Sequence, residues 1–354
     1  MGQTLSEPVT QKTTSKQENK FFKVGSSCMQ GWRINMEDAH TEKLDIGDEK
    51  NSAFFAVYDG HGGPKVAEYA GNNLHNKILN HPLFKNGQID DAIKKGFLDL
   101  DQDMLNDEDM KEELAGTTAI CVILKDDKIY CVDVLNFLFF KKGNVGDSRA
   151  IASVKGCVQE LSHDHKPNNE LEMKRISAAG GWVEFNRVNG NLALSRALGD
   201  FVFKRNEAKK PEEQIVTAFP EVEIKNITKD HEFLVLACDG IWDVLTNEDV
   251  LDFVRTRIAQ LIPPEKICED LMTRCLAPDC MMGGLGCDNM TVVIVCFLHG
   301  ESYEKLAEKC KLSSSNQSHS QNGSKIMLNS NNKTHNLSSI NSSKPSSGIQ
   351  LKTS

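Results

Sequence analysis

Residues 53–63 read A-F-F-A-V-Y-D-G-H-G-G, an apolar run that stops at Asp59, Gly60, His61, Gly62 and Gly63. Aromatic and β-branched residues closed by turn formers predict a strand, here one that leads into a helix. A carboxylate at a strand end, followed by a residue without a side chain, offers hard cations both an oxygen ligand and a backbone carbonyl. The device recurs in F-L-V-L-A-C-D-G-I-W-D at 233–243, with Asp239 and Gly240. In C-D-N-M-T-V-V-I-V-C at 287–296, Asp288 stands just before a strand instead of after one. The start of one antiparallel strand lies beside the end of its neighbour, so the three aspartates are expected to converge at one edge of a sheet. A single Asp-Gly is above all a turn signal; the recurrence is what points to a site.

Working outward, strands are expected at about 53–58, 118–124, 128–134, 149–154, 233–238 and 290–298. Val66, Ala70, Leu74 and Ile78 recur at helical spacing, as do Ile89, Ile93, Phe97, Leu100 and Met104. Thr246 and Asp249 form a capping box before Val250, and Pro264 suits a first helical turn. Strand pairs adjoin one another and helix pairs follow, which predicts an α+β fold of antiparallel sheets with helices packed outside. Residues 1–20 are polar and aperiodic and are expected to form a flexible arm. Residues 21–300 carry no linker composition and are expected to form one domain, whereas 301–354 is rich in Ser, Asn and Lys and is expected to be mostly disordered, with helical character only at about 301–311.

A net charge of -9 disfavours nucleic acid as a partner and suits a protein that attracts divalent metal. The eleven cysteines sit in apolar runs such as A-I-C-V-I-L, where a thiol behaves as a small hydrophobe, so a reducing, cytoplasmic compartment is expected. The start M-G-Q-T-L-S fits N-myristoylation at Gly2, with Lys12, Lys16, Lys20 and Lys23 as a thin basic supplement and weak, reversible membrane association as the expectation.

G-W-R-I-N-M-E-D at 31–38 adds Arg33, Glu37 and Asp38; in an extended segment Arg33 and Glu37 share a face and Asp38 takes the other. Arginine grips phosphate in a bidentate manner, and oxygen-rich sites suit magnesium or manganese. Together with G-T-T at 116–118, N-V-G-D-S-R at 144–149, L-S-H-D-H-K-P at 161–167, and R-V-N-G-N-L-A-L-S-R-A-L-G-D at 187–200, these motifs resemble those of the protein phosphatase 2C family of metal-dependent serine/threonine phosphatases. The resemblance runs in order from about 25 to 298.

The resemblance implies a central sandwich of two antiparallel sheets flanked by helices, in α-β-β-α layers, with two Mg2+ or Mn2+ ions in a cleft between the sheets. Asp59 would bridge the metals, the Gly60 carbonyl would bind one, and Asp239 and Asp288 would complete the other, while Glu37 and Asp38 hold waters on them. Arg33 would bind substrate phosphate, and His61 would protonate the departing serine or threonine oxygen. Asp147 and Asp243 match positions that support a weaker third metal. Residues 164–203 resemble the family's flap, with Arg187 as a substrate contact. On this reading the substrates are phosphoproteins, and the protein is a monomer of the cytoplasm with nuclear or peripheral membrane pools. The chemistry is coherent on its own terms: a phosphomonoester dianion repels hydroxide until cations neutralise it, and an alkoxide leaves poorly until it is protonated.

Three competing signals are weaker. Cys268 to Arg274 has the spacing of a cysteine-dependent phosphatase, but Glu269 and Asp270 repel phosphate and the segment lacks an amide cradle. His163 and His165, or Cys275, Cys280 and Cys287, lack the spacing of a closed four-ligand zinc site and read as flap residues and buried thiols. The apolar stretch V-D-V-L-N-F-L-F-F-K-K at 132–142 departs from the family pattern and is expected to separate or displace two strands just before Asp147. It sustains an alternative in which the chain is a catalytically impaired binding scaffold.

Overall fold

Alternate residues of the same strands are buried on opposite faces, and this builds the architecture. Ala53, Phe55 and Val57 meet Leu234, Leu236, Val293 and Val295 in one cluster between two sheets. Phe54, Ala56 and Tyr58 of the same strand pack outward against Leu74, Ile78, Ile93, Phe97 and Leu100. On the far side Val235 and Ile294 pack against Val250, Val254, Ile267 and Leu271. The resulting layers are helix, sheet, sheet, helix, as the α+β reading expects. The computed structural model describes residues 4–47, 51–133, 148–162, 167–281 and 284–311.

The six-stranded sheet runs in the order Thr4–Glu18, Phe22–Arg33, Met290–Phe297, His231–Ala237, Arg149–Val154, Cys157–Glu160. The five-stranded sheet runs Glu221–Asn226, Lys128–Asp133, Ile120–Lys125, Ala53–Tyr58, Ala39–Leu44. Every pairing in both is antiparallel. Helices Lys65–Leu79 and Ile89–Asn106 cover the five-stranded sheet, and Asn247–Ala259 and Pro264–Cys275 cover the other. Thr246 and Asp249 close the capping box, and Pro264 occupies the first turn. Among the described residues no helix is long and apolar enough to cross a membrane.

The N-terminal segment is a correction. Thr4–Glu18 is not a flexible arm but a fifteen-residue edge strand, in register from Lys12 opposite Met29 to Glu18 opposite Lys23. An edge strand is held by its main-chain ladder and can leave most side chains in water, so it shows none of the apolar period on which the expectation rested. Its lysines discourage further strand addition. At the other end, residues 303–311 are helical, with Leu306 and Cys310 buried in the outer core, and 312–354 lie outside the described residues.

The strands flanking the unusual stretch are intact. Val132 and Asp133, its first two residues, belong to Lys128–Asp133 and pair with Cys121 and Ile120 on one side and Val222 and Glu221 on the other. Arg149–Val154 pairs on both sides in the opposite sheet. The expected displacement is therefore absent from both flanks, and residues 134–147 lie outside the described residues. The flap, from 167 on, carries the helix Glu170–Ala178 and a hairpin of Val183–Glu184 with Arg187–Val188 over its own small core of Ile176, Val188, Ala197 and Val216.

Candidate active site

The three aspartates converge, but from two sheets. Asp59 follows Ala53–Tyr58 of the five-stranded sheet, whereas Asp239 and Asp288 sit at adjoining ends of His231–Ala237 and Met290–Phe297 in the other, where Ala237 faces Val292. The expectation of a single sheet edge fails because strand order in space is not strand order in sequence. The site is the open end of the sandwich, and the Asp59 and Asp239 carboxyls lie close enough there to shift one another's ionisation. Carboxylate oxygens of Asp38 and Asp59 lie within 4.8 Å of each other and of Cys238 Sγ.

The segment carrying Arg33, Glu37 and Asp38 is not extended throughout. The strand Phe22–Arg33 ends at Arg33, and the chain bends before Ala39. Asn289 holds that bend: its Nδ2 donates to Gln30 O at 2.8 Å and Asn35 O at 3.0 Å, and its Oδ1 accepts from Glu37 N at 2.9 Å. Arg33 Nη2 donates to Asp288 Oδ2 at 2.5 Å, so the phosphate-binding candidate is anchored on a metal-binding candidate. Thr291 Oγ1 donates to Asp38 Oδ2 at 2.8 Å. Gly60 has no room for a side chain, because a Cβ would stand 2.2 Å from Glu37 O; this contact brings the Glu37 backbone against the Asp59–Gly60 peptide.

Burial, reinforced by neighbouring carboxylates, dominates the electrostatics. It pushes Asp38 up to about 7 despite hydrogen bonds from Thr291 and Cys238, with Asp239 and Asp288 adding to the rise. Burial and then Asp38 and Asp288 hold Asp59 well above the carboxylate range; for Asp239 the causes are burial and then Asp59, Asp288 and Asp243. Burial works against the charge on Arg33, but Asp288, Asp239 and Asp59 more than offset it and raise its pKa. Burial also keeps Cys238 a thiol. A carboxylate-rich cluster, with one guanidinium beside it and Cys238 kept protonated, fits hard divalent cations: the charged donors are oxygen, and added positive charge lets the acids ionise together.

His61 lies in the two-residue strand Gly60–His61, and its Nε2 is 2.7 Å from Asp200 Oδ2. Asp200 is 3% exposed and was given no role by the sequence reading. Thr118, Cys238, Asn289 and Thr291 were likewise missed; Thr118 brackets Asp59, its N donating to Asp59 O at 2.9 Å. Asp243 caps the short helix Asp239–Trp242 and acts on Asp239 from there. Arg187 is exposed on the flap hairpin and donates to Asn191 O at 2.6 Å; no described contact brings it to the carboxylates. Gly2, Asp147, His163 and His165 lie outside the described residues. Cys280 and Cys287, expected as buried thiols, are instead joined in a disulfide that packs on Trp32.

A carboxylate cluster between two sheets, with an arginine and a histidine beside it, suits a hydrolase that handles phosphate. The chain belongs to the protein phosphatase 2C family, whose sequence model, described as Protein phosphatase 2C, matches residues 22–282. It is 60% identical to a probable protein phosphatase 2C of Caenorhabditis elegans over 310 residues, covering 88% of this chain and 84% of the relative. It is 49% identical to protein phosphatase 2C homolog 2 of Schizosaccharomyces pombe over 309 residues, covering 86% and 80%. Among solved structures, a phosphatase from a pathogenic strain of Toxoplasma gondii superposes with a TM-score of 0.66 at 25% identity, over 81% of this chain and 96% of that one. The protein is a serine/threonine protein phosphatase, and its substrates are phosphoproteins.

Proposed function

We propose that the chain hydrolyses phosphoserine and phosphothreonine with two divalent cations, Mg2+ or Mn2+, held by Asp59, Asp239, Asp288 and the Gly60 carbonyl, with Glu37 and Asp38 at the periphery. The observation that carries this reading is the meeting of half-buried aspartates from both sheets, which raise one another's pKa although Arg33 pairs with Asp288. When bound, such ions neutralise phosphate charge and bring the pKa of water toward neutrality. Arg33, steadied by Asp288, grips the phosphate dianion and orients it. His61 donates a proton to the departing oxygen. Asp243 supports a weaker third site through its influence on Asp239, and Arg187 meets the peptide from the flap. Cytoplasmic residence is part of the proposal, supported by the buried thiols of Cys121, Cys131, Cys238, Cys268 and Cys296, against which the Cys280–Cys287 disulfide stands. The alternative of an impaired scaffold rests on residues 134–147, whereas the retained carboxylate set favours catalysis.

The purified protein is expected to release phosphate from phosphothreonine peptides with Mn2+ or Mg2+, and exhaustive chelation takes the rate to background. A rate that survives chelation overturns the metal reading, and a folded, Mn2+-supplied sample without activity supports the scaffold.

The metal also has a signature in stability. The folded-state pKa values of Asp38, Asp59 and Asp239 lie above the unfolded value of 3.8, so protonation favours the folded state. That contribution is fully present below about 4 and is lost as pH rises through the raised values, about 7 for Asp38. Metal-free protein therefore melts at lower temperature at pH 8 than at pH 5. Mn2+ at about 100 times its Kd adds about 2.7 kcal/mol, or roughly 4 °C in Tm for a domain of about 300 residues, at pH 8. Calorimetry with and without chelator reads both effects, and a Tm indifferent to Mn2+ contradicts the assignment.

A further inference from the structure

We propose that Asp200 is the positioning residue of His61, an assignment that rests on the reading of His61 as proton donor. Three short strands bring the two together: Gly60–His61 pairs with Gly116–Thr117, which pairs with Leu198–Gly199. Gly116 is thus the partner of His61 on one side and of Gly199 on the other. Asp200 N then donates to Ala115 O at 3.0 Å, and its backbone takes the left-handed conformation, φ 51°, which aspartate adopts only at some cost. That turn, in a residue 139 positions away along the chain, places a buried carboxylate 2.7 Å from His61 Nε2.

The neighbouring ions do not compete for it. Lys204 Nζ is taken up by both oxygens of Asp101, each at 2.8 Å, and by Ala197 O, also at 2.8 Å, while Gly199 N donates to Asp101 Oδ1 at 2.9 Å. Among the described residues His61 is the one side-chain partner of the Asp200 carboxylate. The arrangement fixes the imidazole by Nε2–H and leaves Nδ1 with no partner among the described residues; the His61 side chain is 30% exposed against 4% for Asp200. As a water oxygen bonds to phosphorus and the bond to the serine or threonine oxygen breaks, the imidazolium form of His61 passes its Nδ1 proton to that oxygen, keeps its Nε2 proton on Asp200, and regains the Nδ1 proton from solvent. Gly116 is the geometric condition for the pair: a Cβ there would lie 2.3 Å from Asp200 Oδ2 and 2.6 Å from His61 Nε2.

The test uses the full chain with Mn2+ and two substrates, a phosphothreonine peptide with a poor leaving group and p-nitrophenyl phosphate with a good one. Asp200→Ala is expected to lower kcat on the peptide by about 10–100-fold, with KM within about twofold and the aryl phosphate spared to within about threefold. Asp200→Asn, whose amide oxygen still accepts from Nε2–H, falls between wild type and Asp200→Ala and covers the case in which the alanine variant does not fold. Gly116→Ala, which removes neither group but forces them apart, shows the same selective loss. The double variant His61→Gln with Asp200→Ala is no slower than His61→Gln alone. Nitrogen-15 NMR of the imidazole, independent of turnover, shows a protected Nε2–H in wild type that is lost in Asp200→Ala.

The proposal is overturned if the Asp200 and Gly116 variants keep the full peptide rate while His61→Gln loses it, if the double variant shows multiplied losses, or if the NMR signal is unchanged. If His61→Gln itself slows both substrates equally, the donor reading fails first and the role of Asp200 with it.

Discussion

Asp59→Asn and Asp239→Asn each lower turnover of a phosphothreonine peptide by about 10²–10⁴-fold, the loss expected when an interaction worth several kcal/mol of transition-state charge stabilisation is removed. The same substitutions raise the stability of the metal-free protein at pH 8. Asparagine keeps the size of the side chain but removes one negative charge from a cluster in which burial and repulsion already oppose ionisation. The stability gain shrinks toward pH 4, where the wild-type carboxyls of the folded state are protonated. Kinetics with saturating Mn2+, together with melts in chelator at the two pH values, read both halves. An asparagine variant that is active, or that is less stable than wild type without metal at pH 8, contradicts the assignment. A structural carboxylate gives the opposite pattern, because its loss costs stability in all conditions.

The largest stability effect lies in the flap. Glu172 is 2% exposed and sits between Arg175, whose Nη2 donates to it at 2.6 Å, and Arg196, whose Nη2 donates at 2.8 Å. Although burial alone raises its pKa, the two guanidiniums hold it down at about 2, against 4.5 when unperturbed. Arg175 also donates to Ser195 O and Ile215 O, and Arg196 to Phe219 O, so the cluster ties the Glu170–Ala178 helix to the chain leading back to the sheet. Glu172→Ala leaves the largely buried Arg175 without its anion and Arg196 with only Glu221, 3.5 Å away, and is expected to destabilise by about 3 kcal/mol. With a depressed folded-state pKa, the contribution of Glu172 is present above about 4.5 and is lost as pH falls through about 2. Urea melts measure the total, and limited proteolysis shows whether residues 167–219 are cut first. A loss under about 1 kcal/mol means the pair behaves as a surface salt bridge.

The strands that carry the aspartates were legible because they are buried on both faces and so read as unbroken apolar runs. The helices were legible for the complementary reason, since one buried stripe imposes a period. Phe22–Arg33 escaped notice although it is central: it carries Gly25 and Gly31 and buries Ser26 and Ser27, so neither composition nor alternation marks it. Gly25 is there because a Cβ would lie 2.1 Å from Glu265 N of the covering helix, a constraint invisible without the partner. The carboxylate types were legible from local sequence, but their assembly was not, because which sheet a strand joins is decided by pairing between segments far apart in the chain. Asp200 shows the same limit at the level of one side chain, for nothing near it in sequence announces His61. The pairing of Cys280 with Cys287 was missed because their setting reads equally well as buried thiols.

Because Asp59 and Asp239 come from different sheets, an ion shared between them would join two points about half the chain apart. Such an ion binds the assembled sheets and not the unfolded chain, so it stabilises the fold by mass action rather than as a crosslink does. It also sets an order of assembly. A chain with only one sheet formed presents Asp59 without Asp239, so the complete ligand set exists only after the sheets have met. Ion capture then becomes a late event in maturation, and the enzyme gains its reactivity only once its architecture is finished.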